Sequence, residues 1–147
     1  MFIIAAFTRG ILAVRMSIWT LGINHKTAPV EVRERVAFDP ASMNLVLKDL
    51  QELECVSEVV VLSTCNRTEI YCTADDRCPE RIAQWLHANH DIERADLDAS
   101  LYALTDDNAV AHTMRVASGL DSLVLGEPQI LGQMKSAFAV AQEAGTT

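Results

Sequence analysis

Four cysteines are too few, in a chain of 147 residues, to form the framework of a disulfide-built miniprotein, since a chain this long buries a core of its own. Cys55, Cys65, Cys72 and Cys78 also lack the C-x-x-C spacing of a zinc ribbon or a thioredoxin-like centre, so no metal site is expected. Basic residues are scarce too: 12 Lys and Arg stand against 20 Asp and Glu, a formal net charge of −8. That sign excludes a domain that grips nucleic-acid backbone by bulk electrostatics. Long apolar runs are missing, because Arg9 and Arg15 interrupt the opening MFIIAAFTRGILAVRM, leaving neither a signal-peptide core nor a membrane span. The expectation is a poorly ordered extension over residues 1–16, a folded protein starting near Met16, no membrane partner and a cytoplasmic location. The six glycines form no G-x-G-x-x-G, so the chain carries no dinucleotide fingerprint.

What is present, 50% hydrophobic and 22% charged residues, suits one soluble globular domain with an appended helical segment. Ser17 to Ile23, SIWTLGI, reads as a strand leaving through the polar loop Asn24-His25-Lys26-Thr27-Ala28-Pro29. Asp39-Pro40 starts a helix over about 40–53. Ser57 to Leu62, with its consecutive valines, reads as a buried strand. After the polar turn Ser63-Thr64-Cys65-Asn66-Arg67, residues Thr68 to Thr73 alternate like a strand with one wet face, which makes a hairpin. A helix from Pro79 to about Asn89 carries the stripe Ile82, Trp85, Leu86, and a short strand follows near Leu101 to Leu104. The order β-α-β-β-α-β is that of a ferredoxin-like α+β sandwich. Asp106 or Asp107 then caps a helix to about Ser118, GLDSLVLGE runs extended, and Pro128 opens a last helix to about Ala144. The expected division is a catalytic unit over 17–120 and a pocket loop plus outgoing helix over 121–147. The end at Gly145-Thr146-Thr147 lacks a closing element and suggests a fragment.

Cys65, in a polar turn beside Asn66 and Arg67, differs from Cys72, which sits within a strand as a packing residue. A cysteine attacks as its thiolate, and nearby guanidinium or free backbone N–H groups favour that form. Arg67 is either a solvated charge or a planar clamp for a carboxylate. In the helix after Asp106, at about 100° per residue, Val110, Met114 and Ala117 define a buried stripe that leaves His112 opposite, with Asn108 and Arg115. His112 is then expected on an open face, either reaching across a cleft or simply solvated. Gln129 and Gln133 share a face distinct from the stripe Ile130, Met134, Ala137, Ala141.

Taken together, GINHKTAPVEVRERVAF at 22–38, LSTCNRTEIY at 62–71 and HTMRVASGLDSLVLGEPQILGQMKSAF at 112–138 resemble the glutamyl-tRNA reductase family, over about residues 18–144. The resemblance implies the N-terminal catalytic domain of that family, with Cys65 matching the nucleophile and His112 the activity-important histidine. It also matches Thr64, Asn66, Arg67, Ser122, Glu127, Pro128, Gln129 and Gln133 to positions lining a glutamate pocket. In that pocket Arg67 suits the side-chain carboxylate and Glu127 the α-ammonium. The implied reaction forms a glutamyl thioester from glutamyl-tRNA and reduces it with NADPH to glutamate-1-semialdehyde, the first committed step of the C5 route to tetrapyrroles. NADPH binding and homodimerisation through a C-terminal domain are implied for the full-length family and lie outside this chain. The next pathway enzyme, glutamate-1-semialdehyde aminomutase, is the further implied partner. The matching segment also contains Lys26 and Arg33, expected to be structural. Fold alone permits the rival reading of a binding or regulatory module with an incidental cysteine, which the motif context disfavours.

Overall fold

The computed structural model describes residues 14–147, so most of the expected N-terminal extension lies outside the described residues. Four strands form one sheet: β1 (Ser17–Asn24), β2 (Val56–Ser63), β3 (Arg67–Ala74) and β4 (Tyr102–Thr105). Their order is β2-β3-β1-β4, every neighbouring pair antiparallel, as the ferredoxin-like reading requires. The helices are α1 (Val30–Val36), α2 (Met43–Gln51), α3 (Cys78–Asn89), α4 (Arg94–Ser100), α5 (Asp106–Ala117) and α6 (Gln129–Ala144).

Alternation along the strands divides the sheet into two unlike faces. Leu21 and Ile23 of β1, Val59 and Val61 of β2, and Ile70 and Cys72 of β3 pack with Leu47 and Leu50 of α2 and Ile82 and Leu86 of α3 in the main core. Each such side chain, fully buried, contributes roughly 1.5–3 kcal/mol. A smaller core on the opposite face joins Leu62 to Val116 of α5 and Ile130 of α6, with Tyr71, Met134 and Ala137 packed around it.

Local signals account for most elements. Asp39 accepts a hydrogen bond from the Ala41 N–H at 3.0 Å and opens a turn of 3₁₀ helix over Pro40–Ser42 that runs into α2. The seven-residue helices α1 and α4 are unforeseen additions. VEVRERV is rich in β-branched residues and RADLDAS contains one large apolar residue, so neither presents a helical stripe. Asp106 does not act as an N-cap: the capping position is Thr105, without a side-chain bond. The Asp106 carboxylate instead accepts from the Ile18 N–H and the Ser17 hydroxyl and pairs with Arg15, tying the start of α5 to β1.

Three expectations need correction. The segment GLDSLVLGE is not extended but closes on itself, with the Gly126 N–H donating to the Gly119 carbonyl at 3.1 Å. Gly119 has φ 75°, and a Cβ there would stand 3.0 Å from the Gly126 Cα, so its lack of a side chain permits the closure. The chain end does meet a strand: the Val59 N–H donates to the Thr146 carbonyl at 2.8 Å and the Thr146 hydroxyl to the Val59 carbonyl at 2.9 Å. Those bonds occupy part of the open edge of β2, an edge that otherwise exposes unpaired backbone groups. The third correction concerns α5, which turns Ala109, His112 and Val116 inward while Val110 and Met114 are 38% and 67% exposed. The apolar stripe exists, but it borders an open groove with Ile18, Val60 and Phe138. What draws the other face inward is a charged partner on β3.

Candidate active site

The turn between β2 and β3 carries the exposed Cys65 at its tip. Thr64 builds this turn: its N–H donates to the Arg67 carbonyl at 2.8 Å, and its hydroxyl oxygen accepts from the N–H groups of Asn66 and Arg67, each at 3.2 Å. Arg33 of α1 buttresses the turn from outside, donating to the Cys65 carbonyl at 3.3 Å and to the Asn66 side-chain oxygen at 3.2 Å. The other three cysteines are buried. Burial and the neighbouring Cys78 push the Cys55 thiol up to about 12, and a hydrogen bond to Cys72 together with burial pushes Cys78 up as well.

Beside Cys65 lies a small cavity of about 80 Å³, lined by Thr64, Cys65, Asn66, Arg67, Ser122, Glu127, Gln129, Ile130 and Gln133. Eight of the ten residues singled out from the sequence therefore meet in one place. Gln129 and Gln133 reach it from the first turns of α6, on either side of buried Ile130, which lines the same cavity. Pro128 does not line the cavity; it caps the start of α6. His112 does not line it either, being buried behind it. A larger apolar cleft of about 530 Å³ adjoins through Gln129 and Gln133, and its lining holds no cysteine, histidine or charged side chain.

Behind the cavity wall the second sheet face holds a charged network that sequence reasoning missed. Glu69 has no exposed surface and accepts from four side chains: Arg67 through Nη1 at 3.0 Å, His112 through Nε2 at 2.6 Å, and the hydroxyls of Tyr71 and Tyr102. Burial alone would raise the pKa of this carboxyl, but the His112 hydrogen bond, the Arg67 charge and the two tyrosines hold it below its usual value. Burial and the Glu69 charge raise both tyrosines in turn. The other terminal nitrogen of Arg67, Nη2, donates to the Asp121 backbone oxygen at 2.8 Å and to Oδ2 at 3.0 Å, and Lys26 reaches Asp121 Oδ1 at 2.6 Å. Asp121 is opposed by partial burial yet kept below the usual carboxylate range by these two cations. It pins the closed loop to the sheet and thereby places Ser122 and Glu127 at the cavity. Lys26 and Arg33 are thus neighbours of the site, and His25, lowered by burial and by Arg67, lies among them.

The available signals were indirect. Glu69 stands on the face of β3 that alternation alone marks as wet, and Gly22 lies opposite it on β1. A Cβ at position 22 would approach the Glu69 Cγ to 2.8 Å and the Thr68 carbonyl to 2.4 Å, so the glycine makes room for the carboxylate. Among the described residues no cluster of His, Cys, Asp and Glu could hold a metal ion, and no helix is long and apolar enough to cross a membrane.

Residues 21–147 match the family model for the glutamyl-tRNAGlu reductase N-terminal domain. The chain belongs to this family. It is 54% identical over 132 residues to the glutamyl-tRNA reductase of Marinobacter nauticus, covering 90% of the chain and 31% of that protein. The glutamyl-tRNA reductase of Pseudomonas putida is 56% identical over 131 residues, covering 89% of the chain and 31% of the relative. Among solved structures, that of glutamyl-tRNA reductase from Methanopyrus kandleri superposes with a TM-score of 0.70 at 32% identity, covering 88% of this chain and 29% of that one. The chain thus spans about 31% of the length of these curated glutamyl-tRNA reductases.

Proposed function

We propose that this chain is the acyl-transfer part of a glutamyl-tRNA reductase. The Cys65 thiolate attacks the carbonyl carbon of the ester joining glutamate to the terminal ribose of glutamyl-tRNA. A sulfur–carbon bond forms, the carbon–oxygen bond to the ribose breaks, and the released ribose oxygen takes up a proton from water. Glutamate is left on Cys65 as a thioester. The observation that carries this reading is the one exposed cysteine at the mouth of a cavity assembled from two motifs far apart in the chain, 62–71 and 112–138, while the other cysteines are buried.

The cavity is bipolar, as a glutamyl group requires. Arg67 lines the cavity, held by Glu69 and Asp121, with Lys26 paired to the same Asp121, and its guanidinium suits the side-chain carboxylate. Glu127, in the same lining, takes the α-ammonium, and the amides of Asn66, Gln129 and Gln133 supply donors for the carbonyl oxygen during attack. Both terminal nitrogens of Arg67 are engaged by the protein, so substrate meets a guanidinium already fixed in place.

In the whole family NADPH supplies a hydride that reduces the acyl group to glutamate-1-semialdehyde, for tetrapyrrole synthesis. The described residues do not fit that cofactor: no glycine-rich turn joins a strand to a helix, since β1 leads to α1 through Asn24-His25-Lys26-Thr27-Ala28-Pro29, β3 to α3 through Asp75-Asp76-Arg77, and β4 directly into α5. Hydride transfer, dimerisation and any hand-over to the aminomutase are assigned to segments beyond this chain.

The test is to incubate the chain with glutamyl-tRNA, trap adducts in acid and map them by peptide mass. Glutamate is expected on Cys65 alone, with slow Cys65-dependent release of glutamate and no oxidation of NADPH. Adducts on Cys55, Cys72 or Cys78, or release undiminished in Cys65→Ser, would overturn the reading.

A further inference from the structure

Arg67 lines the cavity, while His112 and Glu69 lie behind it. Among the described residues the hydrogen-bonded route from His112 to the cavity wall passes through one atom, Oε1 of Glu69, which accepts from His112 Nε2 at 2.6 Å and from Arg67 Nη1 at 3.0 Å. We infer that Glu69 is the positioning residue of this site: it holds the Arg67 guanidinium in the cavity wall, and His112 acts on the cavity through it.

Three observations converge on this assignment. Arg67, His112 and Tyr102 converge on Oε1 of Glu69 while Tyr71 donates to Oε2, so both oxygens of the carboxylate are held and its orientation is fixed. Positions 67, 69 and 71 share a strand face, which fixes Glu69 beside Arg67 along β3 while α5 and β4 bring His112 and Tyr102 from two other directions. Finally, β1 gives up a side chain at Gly22 opposite Glu69, where any Cβ would collide. Burying a carboxylate is costly unless it is paired and hydrogen-bonded, and this one is placed where its charge restrains a cation of the cavity wall. Asp121 alone leaves Nη1 of Arg67 without its partner. In this arrangement His112 transfers no proton to substrate. Its N–H keeps Glu69 aligned, and an amide nitrogen at the same place can do likewise.

The assignment of Arg67 to substrate rests on the proposed function, whereas the restraint on Arg67 does not, and two measurements keep them apart. The first follows exchange of the Arg67 guanidinium protons by NMR in the wild-type chain, Glu69→Gln, His112→Ala and His112→Gln. Glu69→Gln and His112→Ala are expected to speed exchange by about tenfold or more, the scale of losing a hydrogen bond to a charged group. His112→Gln, which retains a donor, is expected to stay within about threefold of wild type, since the lost bond is replaced. Unchanged protection in Glu69→Gln, or His112→Gln exchanging as fast as His112→Ala, would overturn the proposal. Should Glu69→Gln fail to fold, the two His112 variants decide it.

The second measurement is the concentration of glutamyl-tRNA giving half-maximal labelling of Cys65. Here Glu69→Gln and His112→Ala should raise it about tenfold with little change in the saturating rate, the signature of lost substrate binding. His112→Gln should recover most of that loss. A fall confined to the saturating rate, or no recovery in His112→Gln, would make His112 a proton-transfer group and overturn the inference. If wild-type chain forms no adduct, the proposed function fails and the exchange measurement alone settles the role of Glu69.

Discussion

On one face of the sheet Leu21, Ile70, Val59 and Val61 meet Leu47, Ile82 and Leu86; on the other, Glu69, Arg67 and Tyr71 meet His112 and Asp121. Both faces bury their side chains, but by different physics. The first gains from removing apolar area from water, a non-directional effect that tolerates repacking. The second breaks even only while every donor and acceptor is matched, so its geometry is unique and its tolerance small. The cavity beside Cys65 sits against the second face, where the network fixes Arg67 in its wall.

Truncating Glu69 to Ala should produce the largest effect, a loss of about 3–5 kcal/mol, because it leaves buried His112 and Nη1 of buried Arg67 without their acceptor. Leu21→Ala on the apolar face should cost about 2–5 kcal/mol by cavity formation. Urea unfolding of both variants tests the contrast, and a loss below about 1 kcal/mol for Glu69→Ala would show the network to be energetically idle. Next in size, Arg67→Lys should lower glutamyl transfer to Cys65 by about 1–3 kcal/mol in transition-state stabilisation, since lysine keeps the charge and loses the fork that spans Glu69 and Asp121. Equal rates of Cys65 labelling in folded wild type and variant would remove Arg67 from substrate binding.

Acid sharpens the contrast further. Glu69 and Asp121 have pKa values lowered in the folded chain, so the stability they contribute is present above the ordinary carboxylate values of 4.5 and 3.8 and is lost as pH falls through the folded values. Each group adds a slope of up to about 1.4 kcal/mol per pH unit in that window. Unfolding curves between neutral pH and strong acid should flatten in Glu69→Gln, while Leu21→Ala shifts the curve without changing its slope. An unaltered acid slope in Glu69→Gln would assign acid sensitivity to other carboxylates. The smallest effect belongs to Cys65→Ser: at an exposed turn it should alter stability by no more than about 0.5 kcal/mol, measured by thermal unfolding, while abolishing the adduct.

Much of the architecture was legible because hydropathy follows backbone period. The valines of β2, the stripe of α3 and the Asp39-Pro40 start each state their structure locally, and the ferredoxin-like order follows from the sequence of elements. The same rule misread α5, since it sends Val110 and Met114 inward and has no means of foreseeing that a carboxylate from another strand would claim His112. Thr64, Cys65, Asn66 and Arg67 were legible as a candidate cluster through their motif and turn chemistry, and Gln129 and Gln133 through helical spacing, and the fold brings them to one cavity. Asp121 and Arg33 were not, because their significance lies in contacts with Arg67 and with the Cys65 turn, 54 and 32 positions away in the chain.

The amino-acid sequence by itself determined the order of the four strands and of helices α2, α3, α5 and α6, the apolar face of the sheet and the polar turn bearing Cys65, because each depends on neighbours within a few residues. Only the tertiary structure decided that Glu69 is buried rather than wet, that His112 lies behind the cavity rather than in it, and that Asp121 and Arg33 hold its walls. These outcomes rest on pairing charges across elements distant in the chain, and the free energy of a buried charge is set by the partners that folding brings to it.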